Sequence, residues 1–179
     1  MVHQITLLDG GLGQELIKRS SAAPHPLWST KVMMDEPHLV SEIHRDFCLA
    51  GARVICLNTY AVSRHRLDTY APEESLDQIL KTASDVANIG IRDAGASSSI
   101  SVVASLPPLN ASYDHTVAPD FEVAYPQYRE LIQLQKHHVD AGSSLLERAE
   151  GLIGMNPFRR FLLEGWAKGQ LTGKCVCDC

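Results

Sequence analysis

The chain has 179 residues and a mass of 19.7 kDa, with 45% hydrophobic and 21% charged residues, the balance of a soluble globular protein with one domain of respectable core. Sixteen Lys and Arg stand against 21 Asp and Glu, a net charge of −5 and a pI near 5.9, which argues against a dedicated binder of nucleic acid or of an anionic membrane. No segment approaches the run of about 18 apolar residues that spans a bilayer, and Met1-Val2-His3-Gln4 lacks the basic and apolar parts of a secretory signal, so a cytoplasmic protein is expected.

Gln4-Ile5-Thr6-Leu7-Leu8 is a short apolar run ending in Asp9-Gly10-Gly11, the pattern of a buried strand that opens into a tight loop. Beyond Pro24-His25-Pro26-Leu27-Trp28-Ser29, the residues Leu39, Val40, Ile43, Phe47 and Ala50 recur at helical spacing. With Pro37 in the first turn and Gly51 as the stop, they predict a helix over 36–50. Arg53-Val54-Ile55-Cys56-Leu57 is β-branched and apolar and ends in Asn58-Thr59-Tyr60, a second strand. Leu76, Ile79, Leu80, Ala83, Val86 and Ala87 mark an amphipathic helix over 72–93. Ser99 to Ser105 reads as a third strand, halted by Pro107-Pro108. A polar loop over 109–122 leads to a helix over 125–138 with Tyr128, Leu131, Ile132 and Gln135 on one side.

Alternating strands and helices specify βαβ units and a parallel sheet, in which ligands gather at the C-terminal strand ends. Asp9-Gly10-Gly11, Asn58-Thr59 and Ser105 are therefore expected on one face. From Ala141 the rhythm breaks. Residues 1–140 carry 11 basic and 17 acidic side chains and residues 141–179 carry five and four, while the tail holds half of the 12 glycines. The chain accordingly divides into a domain over 1–140 and a divergent tail over 141–179, with one short amphipathic helix expected around Phe158 to Trp166.

Five cysteines are too unevenly placed for a secreted disulfide framework. Cys48 and Cys56 lie in apolar segments and read as core thiols. Cys175, Cys177 and Cys179 form a C-x-C-x-C at the end of the tail, which departs from the C-x2-C pairs of structural zinc sites and is read as no dedicated metal site. His44 and Cys48 share a helix face at i, i+4 and are expected as a core Cys beside a partly exposed His. His137-His138, adjacent on a helix, make a poor chelating pair. Gly10-Gly11-Leu12-Gly13 after a strand invites a dinucleotide-binding reading, but Leu16 stands where G-x-G-x-x-G needs its last glycine, and no Lys-Ser/Thr completes a P-loop.

Leu7-Leu8-Asp9-Gly10-Gly11-Leu12-Gly13-Gln14-Glu15-Leu16 resembles the opening strand and loop of the homocysteine S-methyltransferase family, with Gln14 in place of the common Thr. Further pieces follow in family order: Pro26-Leu27-Trp28-Ser29, then Pro37, Val40, His44, Phe47 and Ala50-Gly51-Ala52, then Asn58-Thr59-Tyr60, then Ser105-Leu106-Pro107-Pro108, then Tyr125 through Val139-Asp140. Together they cover about residues 5–140.

The resemblance implies an α/β fold of the (β/α)8 TIM-barrel family, here a partial barrel of three to four βα units with an atypical tail. It implies methyl transfer from a donor such as S-methylmethionine, S-adenosylmethionine or betaine to the thiolate of homocysteine, giving methionine. It implies a zinc cofactor, which depresses a thiol's pKa and so presents homocysteine as a nucleophile. Asp9, Gly10 and Gly11 match the family's loop beside the amino-acid group of homocysteine, and Asn58 and Thr59 match a strand end facing the same pocket. The family's three zinc cysteines have no counterparts, so no catalytic or metal-ligating residue is assigned. The expectation is an amino-terminal portion of such a barrel, as in a truncated gene product or alternative isoform, with weak or no activity of its own and an incomplete edge open to self-association. The alternatives are a non-catalytic half-barrel that pairs with a full-length relative, and a small α/β protein holding a phosphate at Gly10-Gly11.

Overall fold

The computed structural model describes residues 6–110 and 115–140. The tail, with its expected helix and Cys175, Cys177 and Cys179, lies outside the described residues. Three parallel backbone segments lie side by side in chain order. Leu8 bridges Val54 in parallel, with Arg53 N–H donating to the Leu7 carbonyl at 2.8 Å and Asp9 N–H to the Val54 carbonyl at 3.0 Å. Strand β1 (Val54–Cys56) then pairs in parallel with β2 (Ser101–Val103), setting Val54 against Ser101, Ile55 against Val102 and Cys56 against Val103.

At the far edge of β2, Asp140 takes the place a fourth strand would enter. Its N–H donates to the Val102 carbonyl at 3.3 Å, and its carboxylate accepts from the Val102 N–H at 2.6 Å, standing where a neighbouring strand's carbonyl would lie. Each new segment thus joins the sheet on the same side. This is the sequential order of a barrel; a doubly wound sheet reverses its order at a switch point. Among the described residues the array is open.

Six helices accompany these strands among the described residues: α1 (Leu12–Arg19), α2 (Ser29–Asp35), α3 (Pro37–Leu49), α4 (Arg64–Tyr70), α5 (Leu76–Asp93) and α6 (Phe121–Gln135), with a 3-10 turn at His115–Val117. The three expected helices are present, α3 almost as drawn. Helix α5 starts four residues late, and α6 starts four residues early and carries Pro126 inside it. Helices α1, α2 and α4 were not expected. In α1 the Gly11 carbonyl accepts from the N–H groups of Gln14 and Glu15, and Leu12 and Leu16, four apart, bury one stripe. The Arg19 guanidinium reaches the Asp46 carboxylate of α3 at 2.8 Å.

The core lies between the strands and the helices, with Leu16, Met33, Ile43, Ile55, Leu80 and Leu131 all buried. Ile55 and its partner Val102 face this layer; Cys56, Val103 and Ser105 occupy the alternate positions on the other face. Helices α3 and α5 make the most extensive helix contact. Gly90 of α5 permits it, because a Cβ there would fall on the Ser41 carbonyl and 2.8 Å from His44 Cβ.

Two expectations are corrected. Among the described residues the first strand is a single bridged residue, with Leu7 and Leu8 exposed by 51% and 50%, because it is paired there on one edge alone; Gln4 and Ile5 lie outside the described residues. His44 is wholly buried, because the close α3–α5 contact covers it. Cys48 and Cys56 are buried, as expected.

Candidate functional site

The parallel register brings Asp9-Gly10-Gly11, Asn58-Thr59 and Ser105 to the C-terminal ends of three adjacent segments. The Asp9 carboxylate accepts from the Cys56 N–H at 2.8 Å, which fixes a half-buried negative charge at the end of the first two strands. Gly10 follows directly, and a Cβ on it would lie 2.7 Å from Phe47 Cε1, so the backbone passes close over α3 only because no side chain is there. Gly11 is exposed and caps α1.

Asn58 is buried and spends its amide on Ser29. Its Oδ1 accepts from Ser29 Oγ at 2.7 Å and its Nδ2 donates to the Ser29 carbonyl at 3.0 Å. The Leu-Trp-Ser and Asn-Thr-Tyr motifs, some thirty residues apart in sequence, are therefore one structural unit. Thr59 is also buried and links the ends of β1 and β2. Its hydroxyl accepts from the Ser105 N–H at 3.1 Å, and the one hydroxyl hydrogen has two acceptors in reach, the Ser105 carbonyl at 3.1 Å and Gln135 Oε1 at 3.2 Å. Below them, Cys56 Sγ and Ser105 Oγ share a hydrogen bond of 2.9 Å.

Trp28 directly precedes Ser29, and sequence reasoning gave it no role. Its backbone sits at φ 48° and ψ −122°, the one positive φ outside glycine among the described residues, and it is 45% exposed. The quoted Leu-Trp-Ser motif was the available signal; its backbone strain has no trace in the sequence.

The described residues do not fit a zinc site. No three of their His, Cys, Asp or Glu side chains come together to hold a metal. Cys48 is disfavoured as a thiolate, since burial and, after it, the charge of Asp9 push its pKa up. Cys56 is buried and held by Ser105.

Residues 6–146 match the sequence profile of the homocysteine S-methyltransferase family. The chain belongs to this family. Among curated members of known name, it is 32% identical over 78 residues to homocysteine S-methyltransferase 3 of Zea mays, a stretch that is 42% of this chain and 23% of the relative. It is 39% identical over 58 residues to homocysteine S-methyltransferase of Escherichia coli, 32% of this chain and 19% of that one. It is 31% identical over 83 residues to selenocysteine Se-methyltransferase of Brassica oleracea, 45% of this chain and 24% of that one. The chain thus matches about a quarter or less of the length of these relatives. In fold it resembles the metallated form of the homocysteine methyltransferase MmuM from Escherichia coli, with a TM-score of 0.70 and 18% identity, covering 91% of this chain and 60% of that one. No described helix is long and apolar enough to cross a membrane.

Proposed function

We propose that the strand-end face is a homocysteine-binding surface, the acceptor side of a homocysteine S-methyltransferase within a (β/α)8 barrel. The observation that carries this reading is the half-buried Asp9 carboxylate, fixed by the Cys56 N–H at 2.8 Å beside Gly10, which passes close over Phe47, and the exposed Gly11. A fixed carboxylate suits the ammonium group of an amino acid, and bare backbone beside it lets the ligand approach. Asn58 and Thr59 line the same strand ends. The methyl donor would be a small onium or sulfonium compound such as S-methylmethionine, S-adenosylmethionine or betaine. Zinc, when bound in the family, supplies the thiolate form of the acceptor. The described residues lack its ligands, so no step is derived through it.

Isothermal calorimetry with homocysteine at neutral pH tests the binding. The wild-type chain is expected to bind, and Asp9→Asn to bind about tenfold to a hundredfold more weakly, the worth of one charge-assisted hydrogen bond. Equal affinities would remove Asp9 from the site. With zinc and each donor added, the chain by itself is expected to show little or no turnover, and methionine formation at ordinary enzymatic rates would overturn that expectation.

A second reading has one observation in its favour. Leu7 and Leu8, half exposed beside an edge unpaired among the described residues, suit a half-barrel that pairs with a full-length relative. Light scattering on the chain alone and mixed with such a relative tests it, and monomers in both samples would leave it without support.

A further inference from the structure

Trp28 holds a backbone conformation that a Cβ opposes, and such a conformation persists only where its surroundings enforce it. The indole does not enforce it by burial, since it is almost half exposed. The neighbours do. Leu27, just before it, is wholly buried, and the Trp28 N–H is fixed on the His25 carbonyl at 2.8 Å. Ser29, just after it, is tied to Asn58 through both its hydroxyl and its carbonyl, at 2.7 and 3.0 Å. A reciprocal pair of hydrogen bonds between two buried residues fixes orientation as well as distance, because rotating either residue breaks both. One end of the turn is therefore held by the core and the other by the end of β1.

We propose that the Ser29–Asn58 pair is a clamp that holds the Trp28 turn in its strained form at the rim of the strand-end face, which makes Asn58 a positioning residue of the site. Its amide acts on Ser29, and through Ser29 on the direction of the Trp28 side chain; it is not a contact of the bound amino acid. The proposal rests on the reading of this face as the homocysteine surface, and deepens it by separating residues that touch the ligand from residues that shape its entrance.

The chain has two tryptophans, Trp28 and Trp166, so Trp166→Phe leaves Trp28 as the single reporter. In that background Ser29→Ala and Asn58→Ala are expected to increase acrylamide quenching of Trp28 while the far-ultraviolet circular dichroism stays unchanged. The double variant is expected to go no further than Asn58→Ala, which by itself removes both bonds. Homocysteine affinity should fall about tenfold in each, the worth of one or two buried hydrogen bonds. Ser29→Thr, which keeps the hydroxyl, should restore both readouts. Should Asn58→Ala fail to fold, Ser29→Ala carries the test, because it leaves the bond to the Ser29 carbonyl in place.

Strain has its own check. Glycine ordinarily weakens a fold relative to alanine, but at a positive φ the order reverses, so Trp28→Gly is expected to melt above Trp28→Ala. Unchanged quenching in both clamp variants, or alanine melting above glycine, would overturn the proposal. Altered quenching with unchanged homocysteine affinity would overturn the positioning role. A wild-type chain that ignores homocysteine, while quenching and melting behave as expected, would sink the homocysteine reading and leave the clamp standing.

Discussion

Between α3 and α5, His44 has no exposed surface, neither ring nitrogen has a hydrogen-bond partner among the described residues, and desolvation by burial lowers its pKa from 6.5 to about 4. The folded state therefore resists a proton that the unfolded chain accepts readily. Above pH 6.5 both states are neutral and there is no penalty. As pH falls from 6.5 towards 4 the unfolded chain is protonated first, and stability declines through that window by up to about 3 kcal/mol. Denaturant unfolding at pH 7.5, 6 and 5 should show this decline in the wild type and its loss in His44→Met, which fills a similar volume without a titrating group. The same slope in both would assign the decline to other residues. The periodicity placed His44 on α3 but left it partly exposed, because its burial depends on a glycine on a different helix. The two-bond contact of Asn58 was equally illegible, since Ser29 lies in another element and no local pattern links them.

Among the elements, the α3–α5 pair shows what a single missing methyl group decides. Replacing glycine by alanine inside a helix ordinarily gains about 1 kcal/mol. At Gly90 the new Cβ would meet the Ser41 carbonyl, His44 Cβ at 2.8 Å and Arg45 N at 2.9 Å, and two of these are backbone that cannot turn aside. Gly90→Ala is therefore expected to destabilise the chain by about 2–4 kcal/mol, read as a lower thermal midpoint, despite alanine's higher helix propensity. A midpoint at or above that of wild type would mean that the two helices can separate without loss. Helices α3 and α5 were legible because their apolar residues repeat at 3.6 over several turns. Helices α1 and α2 were not, being only eight and seven residues long, with the first opening on Gly11-Leu12-Gly13 and the second entered through a strained Trp28. The strands shrank to three residues each where apolar runs of about twice that length predicted more. Hydrophobicity marks what is buried, whereas ladder pairing also needs a neighbour.

For the molecule as a whole, the sequential parallel order and the family match agree with the expected barrel type, while closure requires strands beyond those described. Among the described residues one open side is the outer edge at Leu8, and it has a measurable consequence. Leu7 and Leu8 offer apolar surface next to backbone groups that point away from β1, the combination that favours edge-to-edge association. Concentration-dependent self-association by light scattering is expected for the wild type, and Leu8→Lys should reduce it, since a charged side chain on an edge opposes pairing. A wild type that stays monomeric across the range would mean that the edge is covered.

The order of the strands also bears on how the chain comes to be folded. The ties between successive strands join residues 47, 46 and 38 apart, from Asp9 to Cys56, Thr59 to Ser105 and Val102 to Asp140. Each closes one βα unit and none has to wait for a distant part of the chain. A polypeptide emerging from a ribosome could thus dock each strand on the one made just before it, with β1 and α3 joined before β2 exists. Folding that advances from the amino terminus in unit-sized steps follows from this arrangement, and ribosome-bound chains long enough to carry first Cys56 and then Val103 clear of the exit tunnel should acquire protease protection one unit at a time.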